Sequence, residues 1–287
     1  MNIKNFSFIT PINELTNKFS LEKEYSQKFT LNINEEIYIS SHPGLNNKDQ
    51  QDTIGIVKKD DYLLMILADG MGGMSDGDIA SYETVKTIKE LFEYEDPKYL
   101  SKINESLFEE VIYTIMYEII NKIPSFSGTT LNLSLITKDI TYIANVGNSR
   151  IYTLKDNFLL QETYDDSYAF KKFITGTIEL RDLLRFYKRN NELTEAIMHN
   201  HIPDIKTRII NNNDYQTLCH LTDGVTSILE HQEILNYLKT PNPANQLVTN
   251  SIYGKNYLNK RQVDHNFCEI LERGTDNATA IVYKKRR

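Results

Sequence analysis

Thr129-Thr-Leu-Asn-Leu-Ser-Leu-Ile-Thr137, Lys138-Asp139, Ile140-Thr-Tyr-Ile-Ala-Asn-Val146 is the stretch that decides the fold class. Two apolar runs of strand length are parted by a short polar turn, which reads as an antiparallel hairpin. Residues 151–154 and 158–161, parted by Lys155-Asp-Asn157, continue it into a meander. Upstream, residues 53–57 and 62–68 form another hairpin across Lys58-Lys-Asp-Asp61, and residues 1–40 hold one or two strands, at 28–33 and 36–39. Two helices precede the meander. After the glycine-rich segment, Ile79, Tyr82, Val85, Ile88 or Lys89, and Phe92 recur at helical spacing, with Asp76 or Asp78 as cap. Ile103, Leu107, Val111, Ile115 and Ile119 then step by four along 100–122, until Pro124 stops the run. Helices that precede a meander, rather than alternate with strands, argue for an antiparallel α+β layer fold over a doubly wound one.

The chemistry lies at the strand ends. Residues 62–68 are apolar and run directly into Asp69-Gly-Met-Gly-Gly73. A carboxylate at the mouth of a buried strand, beside open glycine backbone, suits a hard divalent cation. A plain Gly-rich turn fits the same residues. Asp223-Gly224 ends a second apolar run, 217–222, while Asp276-Asn277 and Gln51-Asp52 precede two more, 278–283 and 53–57. Gathered together, these like charges would repel unless a cation neutralised them.

Six ordered blocks carry a resemblance. They are Asp69-Gly-Met-Gly-Gly73, Gly77-Asp-Ile-Ala-Ser81, Ser127-Gly-Thr-Thr130, Ala144-Asn-Val-Gly-Asn-Ser-Arg150, Thr222-Asp-Gly224 and Asp276-Asn-Ala-Thr279. Over nearly the whole chain, this order resembles type 2C metal-dependent serine/threonine protein phosphatases, and Met71 points to their bacterial branch. The resemblance implies a two-sheet antiparallel β-sandwich flanked by helices. It implies hydrolysis of phosphoserine and phosphothreonine by a hydroxide bridging two Mn²⁺ or Mg²⁺ ions. Asp69 and the Gly70 carbonyl, with Asp223 and Asp276, take the metal-ligand positions, and Asp52 that of an outer-shell acid. The usual phosphate-gripping Arg is replaced by Asn47, leaving Lys48 as the adjacent cation; Asn148 stands where an Asp helps hold a third metal. These two changes favour the alternative of a metal-binding pseudophosphatase acting as a regulatory interaction domain.

The 287 residues contain no linker, repeat or low-complexity tract, so the expectation is a single domain, 1–287. Within it, a flap-like segment near 166–212 holds helical fragments at 167–175, 179–188 and 192–199, and a longer loop lies near 253–275. Further helices are expected at 230–239 and 244–253. A net charge of −7 argues against nucleic-acid binding. No run approaches the ~18 apolar residues of a membrane span, and the start lacks a signal-peptide core. The expectation is a cytoplasmic monomer whose partner is a phosphorylated protein, the product of a serine/threonine kinase. Cys219 and Cys268 make no disulfide framework. The six histidines fit no metal-ligand spacing: His199 and His201 read as solvated flap residues and His220 as a strand residue.

Overall fold

Each strand of the two hairpins alternates between two buried faces, and that alternation builds three layers of core. The computed structural model describes residues 5–10, 24–45, 49–60, 62–71, 76–94, 102–179, 192–254, 274 and 276–286. The strands are β1 (Phe6–Ile9), β2 (Tyr25–Asn32), β3 (Glu35–His42), β4 (Asp52–Lys59), β5 (Tyr62–Asp69), β6 (Gly128–Thr129) and β7 (Leu131–Ile136). They continue as β8 (Ile140–Val146), β9 (Arg150–Lys155), β10 (Phe158–Gln161), β11 (Ile197–Met198), β12 (Lys206–Asn211), β13 (Thr217–Leu221) and β14 (Ala278–Lys285). Two six-stranded sheets result, ordered β1-β4-β5-β7-β8-β12 and β10-β9-β13-β14-β3-β2. Every pairing within them is antiparallel. The expected sandwich is therefore the observed one.

β5 shows how the layers arise. Leu63, Met65 and Leu67 face inward, where they meet Ile37, Ile39, Ile151 and Ile281 of the opposite sheet. Leu64, Ile66 and Ala68 face outward into a second core, because successive strand residues point to opposite faces. Two helices cover that outer face, α1 (Gly77–Tyr94) and α2 (Glu105–Lys122), burying Val85, Phe92, Phe108 and Ile115. The other sheet is covered by α4 (Asp223–Thr226), α5 (His231–Leu238) and α6 (Pro243–Tyr253), against Cys219, Leu221, Ala280 and Val282. A capping box between Glu230 and Glu233 starts α5, and Pro243 opens α6 at a position where its missing N–H costs nothing. Among the described residues no helix is long and apolar enough to cross a membrane.

Several expectations change. The buried face of α2 is Phe108, Ile112, Ile115, Met116, Ile119 and Ile120, while Leu107 is exposed. A row of residues four apart drifts about 40° per step around a helix of 3.6 residues per turn, so Leu107 and Ile119 cannot share one face. α2 starts at Glu105 because the Asn104 side chain accepts the Leu107 N–H at 3.0 Å. At α1 the Asp76 carbonyl accepts the Ala80 N–H. The helix expected at 192–199 is absent; β11 lies there, paired with β6. β12 falls within the expected flap but pairs with β8 as a sheet edge. Only Ile210 of β12 is buried, so its sequence carries little strand pattern. β1 likewise completes an edge. The short helix α3 (Tyr168–Ile174) matches the fragment expected at 167–175. The fragment at 179–188, apart from Glu179, lies outside the described residues, as does the loop near 253–275 apart from Tyr253, Gly254 and Gly274.

Candidate metal centre

The register of the sheets brings the four aspartates to one end of the sandwich. Asp52 begins β4 and Asp69 ends β5, and the two are direct cross-strand partners. Asp223 follows β13 as the first residue of α4, and Asp276 lies two residues before β14. β13 and β14 pair with Leu221 opposite Ala280, so these two acids leave neighbouring strands side by side. Asp69, Asp223 and Asp276 line one cavity of about 410 Å³ with Gly70, Met71, Thr130, Asn148, Glu192 and Leu193. Asp52 stands behind it, 3% exposed. Asn47, Lys48, Gly72 and Gly73 lie outside the described residues.

Buried hydrogen bonds fix the acids in place. The Asp69 N–H donates to Thr130 Oγ1 at 3.1 Å, and its carbonyl accepts from Thr129 Oγ1 and the Thr130 N–H, each at 2.9 Å. Gly70 donates its N–H to the Gln51 carbonyl at 3.0 Å. A Cβ on Gly70 would lie 2.2 Å from the Gly77 carbonyl oxygen, so only glycine lets the loop close onto α1. Asn277 joins three segments: its side-chain oxygen accepts the Gln51 N–H at 2.8 Å, and its Nδ2 donates to the carbonyls of Pro43 and Asp49 at 2.7 and 3.2 Å. Gly224 packs so tightly on the Asn277 carbonyl that a Cβ would fall 1.9 Å from its oxygen. Thr222 accepts the Thr279 N–H at 2.9 Å and donates to Asp52 Oδ2 at 3.2 Å.

Burial pushes all four carboxyls above the usual aspartate range, and their mutual repulsion adds to it. Asp52 is raised to about 7 by burial and by the charges of Asp276 and Asp223. Asp276 rises to about 7 by burial and the charge of Asp223. Asp69 is pushed well up and Asp223 up, burial leading in both. Asp52 Oδ1 is buried with no hydrogen-bond partner. An orphaned buried oxygen amid several carboxylates is a donor set of hard oxygens, which fits a divalent cation of the Mg²⁺ or Mn²⁺ class. Among the described residues no three acidic, histidine or cysteine side chains close into a complete cage. The nearby Arg150 is committed elsewhere, holding Asp165 through Nε at 2.8 Å and Nη2 at 2.6 Å. Asn148 turns its amide nitrogen to the cluster and donates to Asp223 Oδ2 at 2.9 Å.

Thr130, Thr222 and Asn277 belong to this site although sequence reasoning gave them no role in it. Their signal was adjacency: each stands in one of the six ordered motifs, and Thr222 and Asn277 directly flank an acid. Glu192 and Leu193 carried no signal; they arrive because 192–194 pairs back onto 166–168, with the Tyr168 N–H on the Glu192 carbonyl at 2.8 Å. Among the described residues the histidines do not line the cavity. His220 is buried on Ser134 Oγ at 2.7 Å, His199 bonds the Ile123 carbonyl at 2.9 Å, and His201 faces Glu195.

Residues 42–272 match the family profile described as protein phosphatase 2C, a range that holds Asp52, Asp69 and Asp223 and stops short of Asp276. The chain is 28% identical over 229 residues to the serine/threonine phosphatase stp of Listeria welshimeri, covering 76% of this chain and 89% of that one. It is 25% identical over 224 residues to the serine/threonine protein phosphatase PstP of Mycobacterium tuberculosis, covering 76% of this chain and 40% of that one. In fold it is similar to serine/threonine phosphatase Stp1 from Staphylococcus aureus, with TM-score 0.72, 21% identity, and 94% and 98% of the two chains covered. It is similar too to the catalytic domain of PstP in complex with two manganese ions, with TM-score 0.67, 20% identity, and 88% and 99% covered. The profile spans well over half of the sequence, and this chain belongs to the protein phosphatase 2C family.

Proposed function

We propose that the chain is a metal-dependent protein phosphatase that removes phosphate from serine and threonine of a phosphorylated protein. The gathering of Asp69, Asp223 and Asp276 at one cavity, with Asp52 buried directly behind Asp69, carries this reading. The names of the curated relatives support it. Asp69, Asp223, Asp276 and the Gly70 carbonyl would hold two Mn²⁺ or Mg²⁺ ions, with water filling the rest of each shell. Asp52, behind them, would accept hydrogen bonds from that water through its free Oδ1. Bound there, the ions would acidify a water for in-line attack and neutralise charge on the phosphoryl oxygens. The braces from Thr130, Thr222 and Asn277 keep the carboxylates from spreading. Lys48 is the proposed phosphate contact. The whole chain acts as one domain.

Hydrolysis of an aryl phosphate and of a phosphothreonine peptide, with Mn²⁺ and with chelator, tests the reading. Turnover should depend on Mn²⁺ and should fall by orders of magnitude in Asp69→Asn, Asp223→Asn and Asp276→Asn. Calorimetry showing no Mn²⁺ binding near millimolar concentration ends it. One observation favours a second reading. The Asn148 amide already donates to Asp223, so a chain that binds Mn²⁺ without turnover would be a regulatory interaction domain.

A further inference from the structure

Ser127 donates its backbone N–H and its hydroxyl to the Pro124 carbonyl, at 3.3 and 2.8 Å, closing a tight turn over residues 124–127. The third residue of that turn is Phe126, with φ of +62°. A type II turn requires positive φ at this position and favours Gly or Asn there. A bulky side chain in that region is an outlier. The core gives Phe126 nothing in return, because its side chain is 82% exposed. Backbone conformation and ring exposure both work against folding, so packing does not account for this residue, and strained positions of this kind cluster at functional sites.

The turn is tied to the acidic cavity through Met71. Two residues after Phe126, the Gly128 carbonyl accepts the Met71 N–H at 2.9 Å. A Cβ on Gly128 would lie 2.6 Å from Met71 Sδ. Met71 lines the cavity beside Asp69 and Gly70. Two peptide steps put the Cα of Phe126 at most about 7.6 Å from that of Gly128. An extended peptide advances about 3.3 Å per residue, so two to four residues from a phosphoserine in the cavity is a reach that spans the distance to the turn. Residues 123–128 carry no charge, so the contact offered there is apolar.

We propose that Phe126 is a specificity residue whose ring docks an apolar side chain flanking the phosphorylated serine or threonine. This rests on the phosphatase reading, and its test separates the two. Two phosphothreonine peptides, one flanked by leucines and one by glycines, are compared on wild type, Phe126→Gly and Phe126→Tyr. An aryl phosphate, too small to reach the turn, is the reference substrate. Wild type and Phe126→Tyr should prefer the leucine peptide by about tenfold in kcat/KM, the size of an interface contact of consequence. Phe126→Gly should lose that preference while changing aryl phosphate kcat/KM by less than about twofold. Glycine suits the turn better, so Phe126→Gly should also raise Tm by about 2 °C or more. That rise distinguishes loss of the ring from loss of structure. An equal leucine preference in wild type and Phe126→Gly overturns the proposal and leaves Phe126 a turn residue. If the wild type hydrolyses nothing in Mn²⁺, the phosphatase reading fails; fluorescence anisotropy of the labelled leucine peptide then decides Phe126 alone. Equal Kd for wild type and Phe126→Gly overturns it there too.

Discussion

Asp52→Asn should stabilise the metal-free protein at alkaline pH. Asp52 is buried opposite Asp69, with one oxygen on Thr222 and the other unpartnered. Its pKa rises from 3.8 to about 7 in the folded state, by burial first and by Asp276 and Asp223 next. Below pH 3.8 the carboxyl is protonated whether the chain is folded or not. Between there and pH 7 the unfolded chain ionises while the folded one keeps its proton, so stability falls as pH rises and levels off above pH 7. At 1.36 kcal/mol per unit, the loss at pH 8 is roughly 4 kcal/mol. Neighbouring carboxyls share the proton, so part of the effect belongs to the cluster as a whole. Asparagine is neutral throughout and still accepts from Thr222. Urea denaturation in chelator from pH 4 to 8.5, followed by circular dichroism, should show wild type and Asp52→Asn nearly equal at pH 4. The mutant should be more stable by several kcal/mol at pH 8. Saturating Mn²⁺ should narrow or reverse that gap, because the ion binds the folded cluster preferentially. A gap independent of pH, or a mutant less stable at pH 8, would refute the reasoning: the Thr222 bond would then outweigh the repulsion.

Asn148→Asp replaces a donor to Asp223 with a like charge; the metal-free Tm should fall at pH 8, and calorimetry should show tighter or additional Mn²⁺ binding. Asn277→Ala strips the partners of Gln51 N–H and of the Pro43 and Asp49 carbonyls. It should cost about 1–3 kcal/mol in urea denaturation and weaken Mn²⁺ affinity, since Asp276 and the start of β4 lose their shared brace. His220, buried on Ser134, has its pKa lowered by burial to about 3. Its contribution is fully present above pH 6.5 and is lost as pH falls toward 3, so His220→Gln should flatten that part of the acid limb in urea midpoints measured from pH 7 to 4.

Much of the site was legible in the sequence because its acids sit at discontinuities. Apolar runs of strand length end or begin at Asp52, Asp69, Asp223 and Asp276, and an end of a run is a local feature that needs no partner to be seen. The hairpins of β4 with β5 and β7 with β8 were legible for the same reason, since each strand is rich in apolar residues over strand length and a short polar turn marks where each pair reverses. The edges were not. β1 and β12 bury little, and their strand character comes from hydrogen bonds to β4 and β8. The face of α2 also escaped, because which side of a helix is inside depends on the sheet beneath it. Only the tertiary structure decided that Asp69, Asp223 and Asp276 share one cavity, with Asp52, 224 positions from Asp276, directly behind it as the cross-strand partner of Asp69. That proximity is set by the register of β4 on β5 and of β13 on β14. The same long-range packing desolvates the carboxyls, raises their pKa values and leaves Asp52 Oδ1 without a partner. Charge repulsion falls off with distance and is screened by water, so the sequence named the acids, and folding alone made them one electrostatic unit.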